Sequence, residues 1–166
     1  MASRPSREFA APDLDLFSLI FWIFLCVGGG ALLGAFFQPD AWFRALSDPP
    51  FAPPNAVFAP VWTVLYILMG VAMWRVERFA RSVPARIRAR RAFLTQLALN
   101  FAWTPVFFGL HQIELALVVI FLLWIAIGVT FYLFRRADRT AGWLIAPYWA
   151  WVTFATALNT GYAVLN

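Results

Sequence analysis

Lysine is absent from this 166-residue chain, histidine and cysteine occur once each, and charged residues make up only 13% of it. A soluble domain spends about a quarter of its residues on charge, so a water-exposed globule is excluded. The lone cysteine, Cys26, has no partner; disulfides and cysteine metal sites are ruled out, and it reads as a small core residue. His111 sits in a short turn between apolar runs and reads as an interfacial residue, not a haem or metal ligand. No Asp, Glu, Arg or His falls deep inside any apolar run. That excludes a proton pump or ion-coupled transporter, which needs buried titratable groups, and equally metal-assisted hydrolysis and a carboxylate acid–base pair.

What the chain has is apolar and aromatic, 63% and 19% of its residues. Charge leaves five free windows, 16–39, 49–74, 92–113, 115–134 and 140–166. Each matches the roughly 20 apolar residues that a helix needs to cross a bilayer. The sequence therefore predicts an all-α integral membrane protein, a bundle of five transmembrane helices over about 16–37, 57–74, 92–110, 115–134 and 141–165. A tail, 1–15, precedes a single membrane domain, 16–166. Arg4 and Arg7 before an apolar stretch could open a secretory signal, but Leu16 to Phe37 is too long for a typical signal core.

All thirteen basic residues are arginine. With five spans, twelve of them fall on one side and only Arg44 on the other, so for a bacterial inner membrane the positive-inside rule puts the N-terminus in the cytoplasm. The first loop and the C-terminus then lie on the opposite side. The net charge of +5 and pI near 10.3 do not imply nucleic acid, because the arginines flank apolar spans instead of forming a basic face. The run Arg86–Arg91 is read as a contact for lipid headgroups.

The first loop, 38–56, carries Pro39, Pro49, Pro50, Pro53 and Pro54. Proline fixes φ and drives its predecessor out of helix, so the loop is extended and stiff, either a lid or a plain connector. Gly30 and Gly34 form a GxxxG, a face for close packing against a neighbouring helix or a second subunit. Three polar-aromatic stripes run at helical spacing: Phe58, Trp62, Tyr66; Gln96, Asn100, Trp103, Phe107; and Tyr148, Trp151, Ala155, Asn159, Tyr162. The orientation places most of these in the outer half of the bundle, beneath the loop. They form either a pocket for a large, flat, mostly apolar ligand or simple bundle packing.

Three blocks carry a family resemblance: Asp48 to Gly70 (DPPFAPPNAVFAPVWTVLYILMG), Gln96 to Gly109 (QLALNFAWTPVFFG) and Pro147 to Asn159 (PYWAWVTFATALN). Together they resemble the tryptophan-rich sensory protein / translocator protein family, also called the peripheral benzodiazepine receptors, from about Gly28 to the end. The resemblance implies a five-helix bundle, commonly a homodimer, that binds porphyrins, sterols and benzodiazepine-like ligands under the first loop, with no resident cofactor. Phe58, Trp62, Tyr66, Asn100, Trp103, Trp151, Ala155 and Leu158 match its pocket-lining positions; Phe107 and Tyr148 join them from the stripes. Asp48 and Phe51 stand where the family usually has a basic residue and a tryptophan. Phe51 is still taken as ligand-facing, but the photochemical degradation of protoporphyrin attributed to such tryptophans is put in doubt. Tyr162 is followed by no Lys or Arg, so the animal cholesterol-recognition pattern is not matched.

Three functions compete: a receptor or carrier for tetrapyrroles and related apolar molecules, a light-dependent porphyrin-degrading enzyme, and a structural or partner-binding protein whose aromatic faces simply pack.

Overall fold

The structure, a computed structural model, describes residues 12–166; Arg4, Arg7 and the start of the tail lie outside the described residues. The first helix, α1 (Pro12–Phe36), opens on a proline, whose fixed φ and missing N–H suit a first helical position. A single turn, α2 (Ala41–Ala45), is capped by Asp40, whose carboxylate accepts the Phe43 N–H at 3.1 Å. A 3-10 turn, Asn55–Val57, feeds α3 (Phe58–Phe79). Ser82 caps α4 (Val83–Thr104), its hydroxyl oxygen accepting the Ala85 N–H at 3.3 Å, with Pro84 in the first turn.

Pro105 then has no N–H to give back to the preceding turn, and the helix widens into a π turn over Pro105–Gly109. The Leu110 N–H reaches the Pro105 carbonyl at 2.9 Å, and His111 takes a left-handed φ of 56° before α5 (Ile113–Ala137) begins. Only Asp138 separates α5 from α6 (Arg139–Leu165). Its N–H donates to the Phe134 carbonyl at 2.7 Å, and its carboxylate accepts the Ala141 N–H at 2.7 Å.

These bounds differ from the charge-free windows. The stretch 75–91 reads as a connection, yet α3 runs on to Phe79 and α4 resumes at Val83. Arginine is a good helix former, so a run of arginines marks the edge of the hydrocarbon and not the end of a helix. At the other end of the chain α1 begins at Pro12, before the expected end of the tail.

Among the described residues three helical segments, Asp15–Phe36, Asn55–Phe79 and Ile113–Ala137, are long and apolar enough to cross a membrane by length and composition. In α4 the early arginines, and in α6 the proline and aromatic content, dilute that signal. The five long helices among the described residues pack as α1 against α3, α3 against α6, α6 against α5 and α5 against α4. At Gly70 a Cβ would stand 2.6 Å from the Ile23 Cα, so α1 and α3 meet backbone to backbone there.

The arginine-rich end is tightly closed. Met69, Met73, Val76, Phe93, Phe134 and Ile145 are fully buried, and the rings of Phe93 and Phe134 stack at 5.9 Å. Around them α3 acts as a hub. Arg75 makes a two-pronged bond to Asp138 at 2.9 and 3.2 Å. Arg78 pairs with Asp15 at 3.2 Å, and Glu77 accepts both prongs of Arg90 at 2.7 and 2.9 Å. Partial burial disfavours the charged Asp138, but the Arg75 bond and charge and the Ala141 N–H outweigh it and hold the carboxyl below its usual range.

Candidate functional site

The opposite end, where the first loop lies, holds a cavity of about 550 Å³. Every long helix contributes a face. On α1, Val27, Gly30, Ala31 and Gly34 line it at helical spacing, so the GxxxG turns inward toward α3. Gly30 abuts the Tyr66 ring so closely that any Cβ would collide with it. From α3 come Phe58, Trp62 and Tyr66; from the α4–π segment Asn100, Trp103 and Phe107; from α6 Ala155, Leu158 and Asn159. Trp103 and Phe107 stack at 5.0 Å with 24° between their planes. Aromatic walls joined to a few fixed amides suit a flat apolar guest.

Two polar arrangements brace the walls. Trp103 Nε1 donates to Asn159 Oδ1 at 3.0 Å, and Asn159 Nδ2 donates to the Ile113 carbonyl at 3.1 Å, tying α4, α5 and α6 together. Deeper in, Tyr66, Asn100, Tyr148 and Gln96 form a continuous hydrogen-bonded chain.

The loop is fastened to the far ends of α4, α5 and α6. The Phe43 ring packs on Phe107, Phe108 and Tyr162. Asn166 accepts the Ser47 N–H at 2.8 Å and donates to the Ser47 carbonyl at 3.2 Å. Tyr162 donates its hydroxyl to Asp48 at 2.7 Å. The His111 ring stacks on Trp42 at 4.2 Å and meets Asp40 at 3.1 Å. The Phe43 N–H, helped by His111, holds the exposed Asp40 carboxyl below its usual value.

Of the residues singled out from sequence, Phe58, Trp62, Tyr66, Asn100, Trp103, Phe107, Ala155 and Leu158 lie on the cavity wall. Three do not. Tyr148 is fully buried behind the wall, its hydroxyl held by Asn100 and Gln96. Trp151 packs edge-on to Phe58 at 5.7 Å and beside Phe154 at 5.5 Å. Three helical steps leave it roughly 60° around the axis from Tyr148, on the flank of α6. Phe51 is 50% exposed, near Gly161. The sequence reading missed the loop-borne lining Pro39, Phe43, Ala52 and Pro53, which carry no periodic signal. Asn159 and Tyr162 stood in the α6 stripe, and that spacing was signal enough to include them.

Residues 22–165 match the TspO/MBR family. The chain belongs to this family. With its three helices of spanning length, it is accordingly a membrane protein. It is 38% identical over 154 residues to the protein CrtK of Rhodobacter capsulatus, covering 93% of this chain and 94% of that one. It is 40% identical over 148 residues to the tryptophan-rich sensory protein of Cereibacter sphaeroides, with 89% and 91% covered. The human translocator protein is 36% identical over 119 residues, with 71% of this chain and 70% of the relative covered. TspO/MBR membership thus spans the segments that build the cavity.

Proposed function

We propose that this chain crosses the membrane five times, with its arginine-rich end in the cytoplasm, and uses the cavity at its loop end to bind flat, mostly apolar molecules, porphyrins such as protoporphyrin IX among them. The arginine placement supports the orientation: among the described residues ten arginines lie toward one end of the bundle and Arg44 alone toward the other. The cavity carries the functional reading. Protein interiors hold few voids larger than a water molecule, whereas about 550 Å³ bounded by aromatic rings falls within the size of small-molecule sites. That favours a ligand over aromatic faces that merely pack. In this reading Trp62 and Trp103 stack on the macrocycle, and its polar edge meets the Tyr66–Asn100 pair.

The test is a titration of the full chain in lipid nanodiscs with protoporphyrin IX, followed by tryptophan quenching. Saturable quenching that weakens at least tenfold in Trp62→Ala is expected. An unsaturable response, or one indifferent to Trp62, contradicts the proposal.

A further inference from the structure

The polar chain beside the cavity has a direction. Tyr66 Oη donates to Asn100 Oδ1 at 2.7 Å, Asn100 Nδ2 donates to Tyr148 Oη at 3.1 Å, and Tyr148 Oη donates to Gln96 Oε1 at 2.9 Å. Every proton points away from Tyr66 and toward Gln96. There the order ends badly: Gln96 is 1% exposed, and its Nε2 is buried with no acceptor. A buried donor without a partner carries its full desolvation cost.

The same four side chains satisfy that donor when the order reverses. An amide group presents nearly the same shape with its O and N exchanged, so Gln96 and Asn100 can each turn over in place. Gln96 Nε2 then donates to Tyr148, Tyr148 to Asn100 Oδ1, and Asn100 Nδ2 to Tyr66. The orphan at Gln96 becomes a carbonyl oxygen, which is tolerated better than an N–H. The cost moves to the other end, where the Tyr66 proton loses its protein acceptor. Tyr66 and Asn100 line the cavity, while Gln96 and Tyr148 stand behind them. A new acceptor for Tyr66 therefore has to come from the occupant of the cavity.

We infer that Gln96, Tyr148, Asn100 and Tyr66 form a reversible hydrogen-bond relay that makes the cavity prefer ligands carrying a hydrogen-bond acceptor at Tyr66. The inference rests on the cavity being a ligand site. An acceptor draws the Tyr66 proton outward, the chain reverses, and Gln96 Nε2 gains its partner. A ligand that offers a donor instead binds the original order and leaves Gln96 unsatisfied. Gln96 is a positioning residue, acting through Tyr148 and Asn100 without touching the ligand. Replacing it with leucine removes the end of the chain and leaves the reversed order as the one in which every buried hydroxyl of the relay is bonded.

Three tricycles of one shape separate the terms: 9-fluorenone offers an acceptor, carbazole a donor and fluorene neither. In nanodiscs containing the full chain, fluorenone is expected to bind about tenfold more tightly than fluorene, the scale of one rescued buried donor. Carbazole gains less. In Tyr66→Phe the fluorenone advantage falls to about one; in Gln96→Leu the fluorenone-to-carbazole ratio rises severalfold. Infrared spectroscopy supplies a second readout that needs no altered core. The fluorenone carbonyl stretch is expected at lower wavenumber in the native protein and at its hydrocarbon-solvent position in Tyr66→Phe. Equal affinities for the three tricycles, or a carbonyl stretch indifferent to Tyr66, overturn the relay alone. Failure of all three tricycles to bind overturns the reading of the cavity itself.

Discussion

The two ends of this bundle solve opposite problems with the same helices. At the arginine-rich end, side chains fill the space between α3, α4, α5 and α6, and guanidinium–carboxylate pairs lock the helix ends: Arg75 to Asp138, Arg78 to Asp15, Arg90 to Glu77. At the loop end, the helices stand around about 550 Å³, and the polar bonds brace a wall instead of closing it. On the proposed reading, stability belongs to one end and recognition to the other. Charge suits the first because it lies at the membrane edge, where ions need not leave water fully. Neutral amides and hydroxyls suit the second, because an ionised group at that depth is costly.

Substitutions at the two ends should therefore separate. The largest loss of stability is expected for Asp138→Ala, which removes the Arg75 partner, the cap of α6 and a partly buried charge pair together. About 2–3 kcal/mol is expected, read as a lowered midpoint in detergent thermal unfolding, with ligand affinity kept. The same carboxyl makes stability pH-dependent. Its folded pKa lies below the ordinary carboxylate value, so its contribution is complete above about pH 4 and is lost as pH falls through the lower folded value. The gap between native protein and Asp138→Asn should accordingly narrow below about pH 4; a gap that widens there would contradict the assignment.

Next comes Tyr148→Phe, which strips Asn100 and Gln96 of a shared partner while keeping the ring. It should cost about 2 kcal/mol and, unlike Asp138→Ala, also weaken ligand binding. Trp103→Phe loses the bond to Asn159 and should cost about 1 kcal/mol, with a larger relative effect on affinity than on melting. The smallest effect belongs to Asn166→Ala. It frees the loop at Ser47, so stability should shift by less than about 0.5 kcal/mol while ligand dissociation quickens. If Asn166→Ala melted the bundle as Asp138→Ala does, the division between the ends would fail.

The sequence made the helices legible because charge is so scarce in it and the windows free of charge are mostly apolar runs, although the window 49–74 also takes in the end of the first loop. Helix ends were harder to read, since Arg75, Arg78 and Arg86–Arg91 are helical residues that look like connections. The aromatic stripes pointed to α3, α4 and α6, and spacing together with the depth that the arginine-based orientation assigns brought Trp62, Asn100 and Trp103 together. Spacing could not separate Tyr148 and Trp151 from their stripe, because the two residues leave α6 in different directions. On α1, apolar on nearly every side, the Gly30–Gly34 spacing marked a close-packing face but left open whether it meets a neighbouring helix or a second subunit; in the structure it turns inward and lines the cavity. The π turn follows from Pro105 and the proline's missing amide, but its consequence, Phe107 and Phe108 both turned toward Phe43, depends on contacts made by the loop.

The central claim is that the loop-end cavity is the binding site, and filling it is the most direct test. Ala155 lies on its wall, so Ala155→Trp sets an indole where a ligand would sit, far from the packed end. Titrated with protoporphyrin IX in nanodiscs, this variant should lose saturable binding while its unfolding midpoint stays within about 3 °C of the native protein's. Undiminished affinity in the folded variant would place the site elsewhere and contradict the account.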